Sequence, residues 1–222
     1  MTIIYHRDVI QGSEEWRANR CGILTGSEMK LIVTPTGKQA SNDKERAHLF
    51  ELMAQRITGY VEPGYISDDM IRGHEDEVVA LGLYAEHYSH VEECGFITNN
   101  SLGFKIGYSP DGLVGDDGLI ECKSRCQKHQ AATIVAGEVP AEYMLQLQTG
   151  LLVTGRAWID FVSYCGGMPM FVKRVLPDAG MQEAIVEAAT SFEKRLQEAL
   201  NKYSANSAGM ILTERKSNLL EE

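Results

Sequence analysis

The sequence lacks any apolar run near the roughly 18 residues that a membrane-spanning helix needs, so no span is expected. Its opening, MTIIYHRDVIQGSEEW, has no basic start followed by an apolar core, so no secretion signal is expected. Cysteines are few, scattered and odd in number: Cys21, Cys94, Cys122, Cys126 and Cys165. That pattern suits reduced thiols in a cytoplasm rather than a disulfide framework. Cys122 and Cys126 have no second Cys or His pair at zinc-finger spacing, which excludes that kind of metal site. There is no internal repeat, no low-complexity tract and no obvious linker. Positive charge is also short. Lys and Arg number 21 against 31 Asp and Glu, a formal charge of −10. On its own that balance argues against a polyanionic partner. What is present is ordinary: 44% hydrophobic and 23% charged residues over 222 positions, enough to bury a core and too apolar for extended disorder. One domain over residues 1–222 is expected, with a polar tail from about Ser204.

Hydrophobic periodicity divides the chain. Ser13 caps a short helix from Glu14 to about Arg20, and a second helix is expected from Ser27. Pro35 to Asn42 reads as a loop. A helix follows from Asp43 to Thr58, with Phe50, Met53, Ala54 and Ile57 on its expected apolar face and Gly59 as its stop. The next runs from about Asp69 to Tyr88, capped by Asp68 or Asp69, with Ile71, Val78, Leu81 and Ala85 on its face. The period then falls to two. Val91–Thr98 and Leu102–Tyr108 form an expected hairpin around Asn99-Asn100, followed by Leu113-Val114 and a strand from Leu119 to Ser124. Helices are expected at Gln127–Gly137 and at Ala141–Thr154 behind Pro140. A second hairpin pairs Ala157–Tyr164 with Met168–Leu176. A last helix, Asp178 to about Tyr203, carries an apolar stripe through Ile185, Phe192 and Leu196. The sum is an α/β chain with a central mixed sheet of about five strands flanked by helices.

The chemistry concentrates in Ser109-Pro110-Asp111-Gly112 and Ile120-Glu121-Cys122-Lys123. Glu121 and Lys123 are two apart on a strand, so both leave the same face, while Ile120 and Cys122 point into apolar packing. Asp111 precedes the adjoining strand, and the intervening turn can fold it back beside Glu121. Two carboxylates at one spot repel each other unless a cation holds them. Oxygen ligands without His or Cys suit Mg²⁺, with Mn²⁺ as a substitute, rather than zinc. A neighbouring lysine can orient or activate a water. This is equipment for metal-assisted phosphodiester hydrolysis. An E-x-K on a strand can equally be a solvated ion pair, and P-D-G a plain turn.

P-D followed ten residues later by E-x-K is similar to the signature of the PD-(D/E)XK nuclease superfamily. Four ordered matches, the central motif among them, narrow the resemblance to the phage lambda exonuclease, or YqaJ-like viral recombinase, family. E-W-R-A-N-R-C-G-I-L-T-G-S-E, from Glu15 to Glu28, resembles its W-x-x-x-R-x-G-x-(I/L)-T-(A/G)-S-E opening. R-G-H-E-D-E, from Arg72 to Glu77, resembles its G-x-x-x-E helix. S-P-D-G-L with L-I-E-C-K-S matches its central motif, and Y-M-L-Q-L-Q, from Tyr143 to Gln148, its Y-M-x-Q-x-Q helix. The matches keep the family's order. After Gln148 the resemblance is weak, and Ser124-Arg125 replaces the Cys-Pro-like step that often follows E-x-K.

The resemblance implies a restriction-endonuclease-like PD-(D/E)XK core. It implies that Asp111 and Glu121 hold metal, joined by the Cys122 backbone carbonyl and by Glu77, the latter through water. Lys123 would position or activate the attacking water, and Gln146 matches the family's active-site glutamine. Arg20 is the candidate grip on a DNA 5′-phosphate, because its planar fork makes paired bonds to phosphate. Ser27 would add a hydroxyl to that anion site. Tyr143 is a supporting candidate, or ordinary core packing. Arg125 and Lys128, with His129, form a basic stretch that can line a DNA path or simply be solvated. Trp16 reads best as a core anchor.

The implied activity is Mg²⁺-dependent, 5′-to-3′ digestion of one strand of linear duplex DNA, leaving 3′ overhangs. The implied partners are DNA ends, two further copies in a trimeric ring, and a single-strand annealing protein in phage recombination, with no membrane. A RecB-like exonuclease or restriction-type endonuclease is the alternative, and a non-catalytic nucleic-acid-binding protein a third. In this setting the acidic excess predicts weak binding in the open and retention by enclosure, with Arg20, Arg125 and Lys128 as inner contacts.

Overall fold

A computed structural model describes residues 2–64 and 67–215. The chain opens with strand β1 (Ile3–His6), helix α1 (Glu14–Arg20) and the two-residue strand β2 (Leu24–Thr25). Ser13 caps α1 as expected, accepting from the Trp16 N–H. The helix expected from Ser27 is a 3₁₀ turn, Gly26–Glu28, running into the short α2 (Met29–Ile32). Thr25 and Glu28 close a reciprocal capping box there. Helices α3 (Asp43–Thr58) and α4 (Asp68–His87) follow, then β3 (Phe96–Asn99), β4 (Ile106–Tyr108), β5 (Gly112–Val114) and β6 (Gly118–Ser124). Helices α5 (Gln127–Ala136) and α6 (Ala141–Thr154) lead to β7 (Trp158–Tyr164), β8 (Phe171–Val175) and α7 (Ala179–Ser207). Part of the expected polar tail is therefore helix, and residues 216–222 lie outside the described residues.

The strands form two four-stranded mixed sheets, ordered β1-β3-β4-β2 and β5-β6-β7-β8, instead of one sheet of about five. The difference comes from β1 and β2, which pair with the β3–β4 hairpin and separate it from the second sheet. β6 and β7 run parallel, which demands a crossover, and α5 with α6 provides it. Successive residues of β6 point to opposite sides. Ile120 and Cys122 join a small core with Ala80, Tyr84 and Val162, while Leu119 joins the main core with Leu24, Tyr108, Phe161 and Phe192.

Two helix faces differ from expectation. On α3, Phe50 (57% exposed) and Ile57 face outward, whereas Glu45, His48, Leu49, Leu52 and Gln55 are buried. Two of the buried polar groups are matched by charge or hydrogen bond. Arg195 lies 2.7 Å from Glu45, and Gln55 Oε1 accepts the Gly22 N–H at 2.8 Å. On α4, Ile71 and Val78 are exposed, and Ala80 and Tyr84 are buried where the helix lies on β6. The Tyr84 hydroxyl donates to buried Asp160 at 2.7 Å, which fixes that rotation. The α4 cap is Ser67, which accepts from the Met70 N–H.

Candidate active site

The antiparallel β5–β6 register pairs Gly112 with Ile120, which sets Asp111, just before the start of β5, beside Glu121. Glycine is required at 112, because a Cβ there would lie 2.2 Å from Val91. Asp111 Oδ2 accepts the Cys122 backbone N–H at 2.6 Å, so the turn is pinned to β6. Glu121 is almost fully buried and is held by three donors. Lys123 Nζ and Gln146 Nε2 donate to Oε1 at 2.6 and 2.5 Å, and the Tyr108 hydroxyl donates to Oε2. Gln146 and Tyr143 lie one turn apart on α6. The Tyr143 ring packs on Phe161, 5.4 Å between centroids, and also lies 5.7 Å from Lys123 Nζ. It serves the core and the site together.

The closeness of the carboxylates shifts their protonation. Burial, then the charges of Glu121 and Glu77, push Asp111 well above the usual carboxylate range. Burial chiefly, with Glu121 adding, raises Glu77 from α4, while His74 and Lys123 oppose. Burial alone would lower the Lys123 ammonium, but Glu121 and Asp111 outweigh it and hold the group above the ordinary lysine value. Lys123 is therefore a proton-bearing donor in this arrangement.

The donor set fits a hard divalent cation. Glu121 Oε1 is fully engaged by two donors, whereas Oε2 accepts one and keeps a lone pair. Among the described residues, no cluster of three or more His, Cys, Asp or Glu side chains is arranged to hold a metal unaided. A cation here would complete its shell with water or substrate oxygen, as Mg²⁺ commonly does.

A cleft of about 250 Å³ opens beside Lys123, lined by Gly26, Ser27, Lys30, Glu142, Tyr143 and Gln146. Ser27 thus stands across from the E-x-K lysine. Arg20 lines an adjoining cavity with Trp16, Thr25 and Glu28. Its guanidinium donates to Ser109 Oγ at 3.3 Å and Thr25 Oγ1 at 3.1 Å and lies 4.3 Å from the Trp16 ring. Burial lowers Arg20, opposed by Glu28, but a guanidinium stays charged. Trp16 is not the expected core anchor: α1 buries no residue, and the half-exposed indole donates to Ser109 at 2.9 Å. Tyr108 holds the two walls together. Its ring fills spaces where a Cβ on Gly26 or Gly150 would come within 2.9 or 2.7 Å.

Other residues fall elsewhere. Arg125 does not line the cleft itself but donates to two residues that do, to Glu142 at 2.8 Å and to the Tyr143 hydroxyl. Lys128 stands exposed on the first turn of α5 and does not line the cleft. Cys122 contributes its N–H to Asp111. Sequence reasoning missed Tyr108, Lys30 and Glu142, as well as Asp76, which accepts from Ser124 at 2.5 Å and ties α4 to β6. Tyr108 gave only a strand alternation signal, and Lys30 and Glu142 look like surface charges until the fold brings them together.

Residues 15–157 match the model of the YqaJ-like viral recombinase domain. Among solved structures, an alkaline exonuclease (LHK-Exo) from Laribacter hongkongensis is similar at 32% identity and TM-score 0.79, covering 90% of this chain and 100% of that one. The same protein in complex with dAMP superposes with TM-score 0.80, at 32% identity and the same coverage. A phage-related exonuclease from Haemophilus somnus 129PT shares the fold at 15% identity and TM-score 0.56, over 81% of this chain and 96% of that one. No curated protein gives a significant match.

Proposed function

Because the chain belongs to the YqaJ-like viral recombinase family and has a PD-(D/E)XK-type exonuclease fold, we propose that it is a phage-type DNA exonuclease. In full, it is a Mg²⁺-dependent enzyme that digests one strand of linear duplex DNA from 5′ to 3′ and leaves 3′ overhangs for recombination by single-strand annealing. The observation that carries this reading is the convergence of Asp111, Glu121 and Lys123 beside an open cleft.

Asp111 and Glu121 would hold the cation, with the Cys122 carbonyl as a further oxygen and Glu77 acting through water. The cation supplies charge neutralisation at the scissile phosphate and a nucleophilic water at neutral pH. Lys123, as an ammonium, orients that water and the phosphate. Gln146 and Tyr108 keep Glu121 in one rotamer, so the carboxylate needs little reorganisation during the reaction. Arg20 grips the terminal 5′-phosphate by its fork, with Ser27 adding a hydroxyl. Tyr143, Arg125 and Lys128 belong to the DNA path, Lys128 outside the cleft itself.

Residues 1–222 act as one nuclease domain, a reading supported by a main core that joins Leu24 of β2 to Leu196 of α7. Three copies around a duplex, a separate annealing protein and a cytoplasmic setting in the host bacterium complete the proposal. No helix among the described residues is long and apolar enough to cross a membrane.

The test is digestion of linear duplex labelled on either strand, with 5′-phosphate or 5′-hydroxyl ends, with EDTA as control. Release of 5′ mononucleotides that requires Mg²⁺ and favours phosphorylated ends supports the proposal. Cutting of closed circular DNA would instead indicate an endonuclease.

A further inference from the structure

Arg20 lines a cavity with Trp16, Thr25 and Glu28, whereas Arg125 contacts two residues of the cleft, Glu142 and Tyr143, and already holds an anion. Its side chain is 10% exposed, donates to the Glu142 carboxylate at 2.8 Å and to the Tyr143 hydroxyl, and leaves a buried Nε without a partner. Its guanidinium carbon lies 5.1 Å from the Tyr143 ring centroid. Lys123 Nζ lies 5.7 Å from the same ring. One ring thus carries the catalytic-site lysine and a second cation farther along the chain leaving β6. Glu142 is the loosely held member, with its side chain 61% exposed on the first turn of α6. A buried guanidinium with an unpaired donor, capped by an exposed carboxylate, is a built oxyanion site with a replaceable occupant.

We propose that Arg125 is a clamp for a DNA phosphodiester next to the scissile one, and that Glu142 is a stand-in ligand which that phosphate displaces. This rests on the reading of the chain as a DNA exonuclease. Glu142 keeps the guanidinium ordered in the absence of DNA and competes with weak anions for it. A phosphodiester that is already tethered through Arg20 and the catalytic centre arrives at high effective concentration and wins. Glu142 then swings into solvent, which is cheap for a side chain that is mostly solvated. Its role is specificity: isolated anions fail to displace it, and a continuous DNA strand succeeds.

The test is a double-mutant cycle read as binding, without cleavage. Wild type, Glu142→Gln, Arg125→Gln and the double variant are titrated in EDTA against a blunt, fluorescein-labelled duplex by anisotropy, with circular dichroism as the folding control. Glu142→Gln is expected to tighten duplex binding about 2- to 5-fold, as an exposed ion pair is removed. Arg125→Gln weakens it about 10-fold. In the Arg125→Gln background, Glu142→Gln is expected to change binding less than about 2-fold. An equal gain in both backgrounds would mean that Glu142 acts only through bulk charge and would overturn the proposal. So would weaker binding in Glu142→Gln. Arg125→Lys, which keeps the charge and loses the fork, serves if Arg125→Gln misfolds. A parent chain that binds duplex but never cuts it with divalent metal would defeat the exonuclease reading, and the cycle would still report on Glu142.

Discussion

Arg20 and Arg125 are held in different ways. Arg20 donates to neutral groups, the hydroxyls of Ser109 and Thr25, and stacks on the ring of Trp16, while the Glu28 carboxylate acts on it through charge from the same cavity. Arg125 is positioned by a carboxylate, which lowers Glu142 below its usual range through their hydrogen bond and cancels the local charge. Neutral positioning makes a standing anion site, suited to the first contact with a DNA end. Charged positioning makes a site that opens only by exchange. A chain with net charge −10 can in this way hold a polyanion by a few focused cations, without a basic surface.

The largest effect is expected at the carboxylate pair, Asp111 and Glu121. Asp111→Asn is expected to lower cleavage of linear duplex about 10³-fold or more, measured by acid-soluble nucleotide release. The same variant should be more stable than wild type without metal. Burial and Glu121 raise Asp111, so between its unfolded value near about 4 and its folded value the native state binds more protons than the unfolded chain. Stability therefore falls as pH rises through that window, and Asn removes the loss. Calorimetry of metal-free protein at neutral pH should show Asp111→Asn melting higher, by about 2–4 °C for each kcal/mol recovered. Mg²⁺ or Mn²⁺ should raise the melting temperature of wild type and not of the variant. Equal metal stabilisation in both would remove Asp111 from the metal site.

Next in size is Arg20→Ala. Losing a charged, forked contact to phosphate costs about 1.5–3 kcal/mol, so the rate advantage of 5′-phosphorylated over 5′-hydroxyl ends should shrink about 10- to 100-fold. An unchanged preference would place the end site elsewhere and break the contrast with Arg125.

Tyr108→Phe removes one of three donors to Glu121 without disturbing the packing around Gly26 and Gly150. Cleavage should fall about 5- to 10-fold, from one hydrogen bond of about 1–1.5 kcal/mol, with duplex affinity in EDTA unchanged within about 2-fold. A packing effect is expected at Gly26→Ala. Its Cβ would meet the Tyr108 ring at 2.9 Å, so the melting temperature should drop by several degrees, from overpacking of about 1–3 kcal/mol. A neutral result would show that the two walls can separate without cost.

Legibility in the sequence followed how local the determining interactions are. The β6 alternation, the α6 repeat of Tyr143 and Gln146, and the return of Asp111 beside Glu121 depend on spacing within about one or two elements, and the sequence pattern located them. The buried faces of α3 and α4 depend on distant partners. Glu45 is buried because Arg195 of α7 reaches it, and Tyr84 because Asp160 of β7 accepts its hydroxyl. Hydropathy places such residues outside. β1 and β2 were missed because four residues at a sheet edge and two residues beside a 3₁₀ turn are too short to show a period. The Arg125–Glu142 pair joins residues 17 apart in sequence across a helix, and each alone reads as a solvated charge.

The most direct measurement is Lys123→Ala, followed by Mg²⁺-dependent nucleotide release from linear duplex and, in EDTA, by duplex affinity from anisotropy. The account predicts that release falls about 10²- to 10⁴-fold while affinity stays within about 3-fold of wild type. Release at the wild-type rate, or a loss of affinity in step with the loss of release, would contradict the placement of the chemistry at Asp111, Glu121 and Lys123.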